Sequence, residues 1–354
     1  MFLPPRCPYR SCRQHARPEP AFFRRHGCYT PRCRPMPVPR FRCKTCRRTF
    51  SRQTFRMDFR DHRPHLNPQL MMLLSSGLGL RQSARLLQLS RRCAELKARK
   101  LGRHLRRFNL NLRGPLREGA KLQFDELETY EGRRNTRPLS VPVLIEAESR
   151  YIIWAEAAPI RPRGKMTPAR RAAIAAEELR FGPRKDLSRR SCKRTLKRGA
   201  DLARNLTCVN LATDEKTTYP TLAAQAFGTS RLAHSQSSSV LPRNVRNPLF
   251  SINHTEAMAR DLMGRLRRES WLVSKQRRFL DIALQVHMAY RNYVRRRTNR
   301  DDQSSAQRLG FAPRRMSPQE LLSWRQDGGE LSIHPLSQNG ECVRDWRAAE
   351  RSAA

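Results

Sequence analysis

Gln123-Phe-Asp-Glu-Leu-Glu-Thr-Tyr130 is the stretch on which the reading of the fold turns. It alternates with the period of a strand, which puts Asp125, Leu127 and Thr129 on one face. Two apolar runs follow, 140–147 and 151–157, joined by Glu148-Ser-Arg150. That is a hairpin signal, and the strand before it completes an antiparallel meander. Farther on, Thr207-Cys-Val-Asn-Leu-Ala-Thr213 reads as a buried strand ending at Asp214-Glu215. Between the two regions, 161–205 is basic and helix-prone, set off by Pro159-Ile-Arg-Pro162. Residues 228–247, rich in Ser, Arg and Asn, read as a loop. From Glu256 to about Arg297 the pattern is helical again. The expected core, 118–297, is an α/β unit with a mixed sheet, flanking helices and a helical insert at about 161–205. The remainder, 298–354, reads as a polar, loosely packed tail.

The acids within this core stand out against the rest of the chain. Lys and Arg number 72 against 30 Asp and Glu, yet residues 121–160 hold seven acidic and five basic residues. Asp125 and Asp214, one within a strand and one at the end of another, suit a shared divalent-metal site. Mg²⁺ or Mn²⁺ takes carboxylate oxygens and keeps room for water and phosphate. Such ions activate a nucleophile and stabilise a leaving oxygen in phosphoryl transfer. A third carboxylate is expected from a following helix, and Glu256, in Ile252-Asn-His-Thr-Glu256, is placed for it. Any one of these acids alone reads better as an exposed ion-pair partner; only their ordered combination points to catalysis.

Upstream of the core, residues 1–66 carry 17 basic and three acidic residues, with frequent Pro and little apolar periodicity. A segment of this kind needs a staple to fold. Cys7 and Cys12, with Cys43 and Cys46, supply a four-thiolate set for Zn²⁺, with a hairpin at 27–41 bringing the pairs together. Cys28 and Cys33 form a competing first pair, and His15 and His26 are substitutes by residue type. The expected zinc ribbon spans 1–60.

Residues 61–112 read as three helices in helix-turn-helix order. Asn67-Pro68 starts the first and Ser75-Ser76-Gly77 ends it. The second runs from about Arg81 to Leu89. Ser90 caps the third, whose Arg91, Arg92, Lys97, Arg99 and Lys100 are the expected DNA contacts. The fold class is therefore multidomain α+β.

A formal net charge of +42 calls for a polyanionic partner, and double-stranded DNA is the expected one. Aromatic residues make up 7% of the chain, too few for the stacking platforms of single-stranded RNA binding. The basic residues are spread along the chain and not gathered on one amphipathic helix, which speaks against a membrane surface. The longest apolar stretch, 70–80, is far shorter than the ~20 residues of a span. Ten cysteines in a protein expected to be cytoplasmic read as thiols or metal ligands.

Several of these stretches together resemble the transposases of short bacterial insertion sequences with an RNase-H-like DDE core. They are Cys7-Pro-Tyr-Arg-Ser-Cys12, Arg40-Phe-Arg-Cys43-Lys-Thr-Cys46-Arg-Arg-Thr-Phe50, the helix-turn-helix, Phe124-Asp125-Glu126 and Ala212-Thr-Asp214-Glu215. The segment from Ile252 to Lys275 is similar to that family's C-terminal catalytic helix. The resemblance implies a bacterial, nucleoid-associated enzyme that recognises element ends, cuts DNA and joins it to a target, working as a dimer or higher oligomer. It casts Asp125 and Asp214 as catalytic ligands and Arg260, Arg265, Arg268 and Lys275 as phosphate contacts. Related members carry Glu directly after the Ile, where this chain has Asn253; Glu256 follows three residues on, near one helical turn. Asn253 and Glu256 are thus alternatives for the third ligand. A further alternative is a DNA-binding regulator or decayed copy that does not cut.

Overall fold

The computed structural model describes residues 2–30, 36–267 and 270–325. At the N-terminus a short helix α1 (Arg13–Ala16) precedes three antiparallel strands, β1 (Phe23–Tyr29), β2 (Val38–Cys43) and β3 (Thr49–Ser51), in the order β1-β2-β3. The hairpin expected at 27–41 is present, starts earlier than 27 and gains a third strand. Its register slips between Arg25 and Cys28, where Gly27 takes φ +71°, a conformation that costs a residue without Cβ little. Phe22, Phe41, Phe50 and Phe55 pack with Cys7, Cys12 and Cys43 into a core of their own. So small a cluster is marginal without a further tie.

Three helices follow: α2 (Leu66–Ser75), α3 (Leu80–Leu86) and α4 (Arg91–Asn111). Ser90 caps α4 as expected, its Oγ accepting from the Cys93 N–H at 3.1 Å. Asn67 is not a cap. It is buried inside α2, donates to Asp61 and accepts from Lys97. Lys97, expected on DNA, is 2% exposed. Its ammonium donates to Asp61 Oδ1 at 2.9 Å, Asn67 Oδ1 at 3.0 Å and the Arg63 carbonyl at 3.1 Å. The side of α4 that carries Lys97 faces inward, so its charge holds the approach to α2 instead of a phosphate. Lys97→Ala leaves a buried carboxylate unpaired and is expected to lower stability by about 3 kcal/mol. The exposed Arg91→Ala should stay within about 0.5 kcal/mol of wild type. Denaturant unfolding of both variants checks the contrast.

The second half of α4 enters the main core through Leu101, Leu105 and Phe108. The boundary expected at 112 therefore lies inside one continuous core. Gly102 marks the crossing with a later helix, since a Cβ there would collide with Ile282.

The large sheet is built from β4 (Lys121–Tyr130), β5 (Pro138–Glu146), β6 (Tyr151–Ala155) and the two-residue β7 (Ala158–Pro159). After α5 (Pro168–Phe181) and α6 (Ser188–Leu202) come β8 (Val209–Asp214), α7 (Tyr219–Phe227) and β9 (Leu232–Ser237). The order is β6-β5-β4-β8-β9, with β7 on β5; β4 through β6 are antiparallel, while β8 and β9 run parallel to β4. The meander and the strand at 207–213 thus appear where expected. Strand β9 falls in the stretch read as a loop. It is an edge strand, mostly polar and with only Ser237 buried, so its pairing with β8 leaves no apolar alternation to read.

The expected helical insert divides in two. Helix α5 buries no residue, whereas α6 puts Cys192, Leu196 and Leu202 into the core on one face of the sheet, beside α7. The other face is covered by α8 (Phe250–Leu262) and α9 (Arg277–Ala289), which bury Ile252, Ala259, Leu280, Leu284 and Met288. A π-helical turn (Tyr290–Val294) extends α9, and two short helices follow, α10 (Ser305–Arg308) and α11 (Pro318–Ser323). Part of the expected loose tail is therefore packed. Leu321, Leu322 and Trp324 lie in the main core, Trp324 against His104 and Phe108 of α4. A few large apolar side chains in a polar segment suffice to dock it. Residues 326–354 of that tail lie outside the described residues.

Candidate metal centre and carboxylate cluster

The thiols of Cys7, Cys12, Cys43 and Cys46 all lie within 4.8 Å of one another. Cys7 and Cys46 are 3.7 Å apart at sulfur, and Cys12 and Cys43 are 3.8 Å apart. Four sulfurs each about 2.3 Å from a common centre form a tetrahedron with edges of about 3.8 Å. The set therefore fits a structural Zn²⁺ in size and in donor chemistry. Local turns aim the thiols: Cys12 N–H bonds the Tyr9 carbonyl, and Arg47 N–H bonds the Cys43 carbonyl, with Arg47 at φ +59°. Burial pushes the Cys7 and Cys12 thiols up. Burial acts the same way on Cys43, but the N–H groups of Cys46 and Thr45 outweigh it and favour the thiolate. Of the competitors, Cys28 is exposed and His15 binds the Cys7 carbonyl through Nδ1. Cys33 lies outside the described residues.

The carboxylates follow from strand parity. On β4, Leu122 and Phe124 join the core under α6 and α7, so Gln123, Asp125 and Leu127 face α8. On β8, Val209 and Leu211 point to the same side as Phe124, and Asp214 falls opposite. The parallel ladder pairs Phe124 with Thr213, so Asp125 and Asp214 are the next positions along neighbouring strands. Gln123 docks α8 across them. Its amide donates to the Pro248 carbonyl at 2.7 Å and accepts from the Ile252 N–H at 2.9 Å. Glu256 then comes into the field of both aspartates from α8.

Burial and mutual repulsion shape the cluster. Burial pushes Asp125 up to about 6, with Asp214 and Glu126 adding to it, against the Glu126 N–H and Arg243. Burial raises Glu256 to about 8, reinforced by Asp125 and Asp214 and opposed by Arg260 and Arg243. Glu256 Oε1 is buried with no hydrogen-bond partner among the described residues. Asn253 sits about one turn earlier on α8, half-buried. Asp125 and Asp214 thus act on Glu256 as like charges. The three carboxylates are not gathered to within 4.8 Å; among the described residues the cysteine set alone is. Glu126, next in sequence to Asp125, faces the other way and is consumed by Lys216, Tyr219 and Ser140. Arg243, from the loop after β9, was not expected at the site. No periodicity or spacing in that loop points to it.

The expected basic contacts separate into groups. Arg91, Arg99, Arg265 and Lys275 line one cavity of about 650 Å³ between α3, α4, the 263–275 segment and α9. Gly264 and Gly77 allow this approach, since a Cβ on Gly264 would sit 2.6 Å from the Gly77 carbonyl oxygen. Arg92 and Lys275 are exposed. Arg99 pairs with Glu95 and stacks over Phe279, Lys100 donates to the Phe59 carbonyl, and Arg265 donates to Ser274 Oγ at 2.9 Å. Arg260 opposes by its charge the upward shift of Glu256. Arg268 lies outside the described residues. Among the described residues no helix is long and apolar enough to cross a membrane. No protein-family model matches the chain, and no curated protein matches it.

Proposed function

We propose that the protein is a DNA transposase: it binds element ends through its N-terminal half and cuts and joins DNA at Asp125, Asp214 and Glu256. The observation that carries this reading is the carboxylate cluster, two acids in neighbouring register on paired strands with a third facing them from α8. Half-buried acids, two of them with raised affinity for protons, and an orphaned Oε1 make a site suited to cations. Mg²⁺ or Mn²⁺ held there would supply the charge that activates a water or 3′-hydroxyl and stabilises the leaving oxygen. Asp125 and Asp214 would hold it from the sheet, and Glu256 would close the set from α8. Arg243 and Arg260 would balance excess negative charge and steer the phosphodiester. The mixed sheet with helices on both faces is compatible with an RNase-H-like core. The four-cysteine unit and α2–α4 would position the DNA ends, with Arg91 and Arg92 of α4 left free of the core for contact.

A second reading, a DNA-binding protein that does not cut, is favoured by one observation. The carboxylates stand farther apart than a closed metal cage. A labelled element-end duplex incubated with the protein and Mn²⁺ separates the two: nicked or joined product supports the enzyme, while tight binding with none supports the binder.

Either way DNA affinity should depend steeply on salt. For six or more phosphate contacts, binding should weaken by about 10³-fold or more between 50 and 200 mM salt. Fluorescence anisotropy across that range reads the slope, and a flat profile contradicts the proposed interface.

A further inference from the structure

A buried guanidinium without an ion-pair partner among the described residues lies at the end of α9. Arg291, in the π-helical turn, is 2% exposed, and its Nε and Nη2 are buried without a hydrogen-bond partner. Arg150 approaches from the β5–β6 turn at φ +57°, over the Phe250 ring and 3.3 Å from His254 Nδ1 on α8. Arg295 completes the group: Arg150 and Arg295 act on Arg291, and all three act on His254, as like charges. His287, one turn before Arg291, is buried with both ring nitrogens unpartnered.

Among the described residues none of these three arginines is in an ion pair, and acids close to them in sequence have other partners. Glu148 pairs with Arg308, Asp301 with Arg297 and Asp302 with Arg296, while Glu146 accepts from Ser149. Removing a guanidinium from water without a partner is costly, and neighbouring cations add to the cost. Arginine forks match the tetrahedral oxygens of phosphate, which takes two parallel hydrogen bonds from each.

We propose that Arg150, Arg291 and Arg295 form an oxyanion site that takes a phosphate group. Two sources share this chemistry, a phosphodiester of a bound nucleic-acid strand and free inorganic phosphate. Helix α8 joins the two sites, with His254 bordering this one and Glu256 facing the carboxylates. The proposal does not require that the carboxylates cut DNA.

The test uses the full chain without divalent metal, in wild-type and Asp125→Asn backgrounds, so that failure of cleavage leaves it unaffected. Inorganic phosphate should raise the melting temperature beyond chloride at equal ionic strength, because it binds the folded state alone. Arg150→Gln and Arg295→Gln, both only half-buried in the native protein, should weaken phosphate binding at least tenfold by calorimetry. Arg291→Met should abolish it; where that variant fails to fold, the other two carry the result. Saturating duplex oligonucleotide is then added. Loss of the phosphate response assigns the site to backbone phosphate, and its persistence assigns it to free phosphate; both sustain the site. A phosphate effect no larger than that of chloride overturns the proposal, as does full phosphate affinity in Arg150→Gln and Arg295→Gln.

Discussion

Asp125→Asn should abolish metal-dependent DNA cleavage, by about a thousandfold or more, and at the same time stabilise the metal-free protein. The first effect follows from losing a ligand whose cation contributes several kcal/mol to the transition state. The second follows from the cost of the cluster without a cation. Burial and the neighbouring acids raise Asp125 from 3.8 to about 6 and Glu256 from 4.5 to about 8. The folded state therefore keeps protons that the unfolded state has already lost between about pH 4 and 8. Unfolding then releases protons, and stability falls as pH rises through that window. Asparagine removes one of these acids, together with the strongest of the charges acting on the other. The decline with pH should become shallower and the melting temperature at pH 8 should rise. Mg²⁺ should reverse the pattern in wild type, raising the melting temperature more at pH 8 than at pH 6. Melting curves at both pH values, with and without Mg²⁺, test this independently of any DNA substrate. Identical pH profiles for wild type and variant, with no Mg²⁺ effect, would sink the reading of these acids as a cation site.

Cys43→Ser should cost the N-terminal unit its fold. The phenylalanine core around the thiols is small, and the surrounding segment is strongly basic. Structural zinc contributes on the order of 10 kcal/mol to the folding of such units. Removing the one thiol that its own turn already favours as thiolate leaves three ligands and an open edge. Metal analysis should fall from one Zn²⁺ per chain to well below one, and limited proteolysis should cut within 1–60. Selective binding to element ends should disappear while weak salt-sensitive binding survives. Cys28→Ser, at an exposed position outside the cluster, should change none of these. Full protection and selective binding after complete removal of zinc would refute the assignment.

Much of this architecture was legible in the residues alone. The Cys7/Cys12 and Cys43/Cys46 set, the strands of the meander, the strand ending at Asp214 and the Ser90 cap were all readable. Each depends on neighbours within a few positions: turn spacing, period-two alternation, a hydroxyl three residues before an N–H. Strand parity likewise put Asp125 and Leu127 on one face before the pairing of β4 with β8 was known.

What tertiary structure alone decided concerns partners distant in sequence. Lys97 looked like a DNA contact because it stands in a basic helix; Asp61 and Asn67, 36 and 30 positions away, make it a buried strut. Strand β9 exists through its ladder with β8, not through its own composition. Trp324 turns part of a polar tail into core by reaching His104 and Phe108. Gln123, 125 and 129 positions from Pro248 and Ile252, sets α8 against β4 and so brings Glu256 under the charge of Asp125 and Asp214. Local periodicity records which way a side chain points from its own element. Whether a charge meets a partner or is left without one depends on which other elements fold against it.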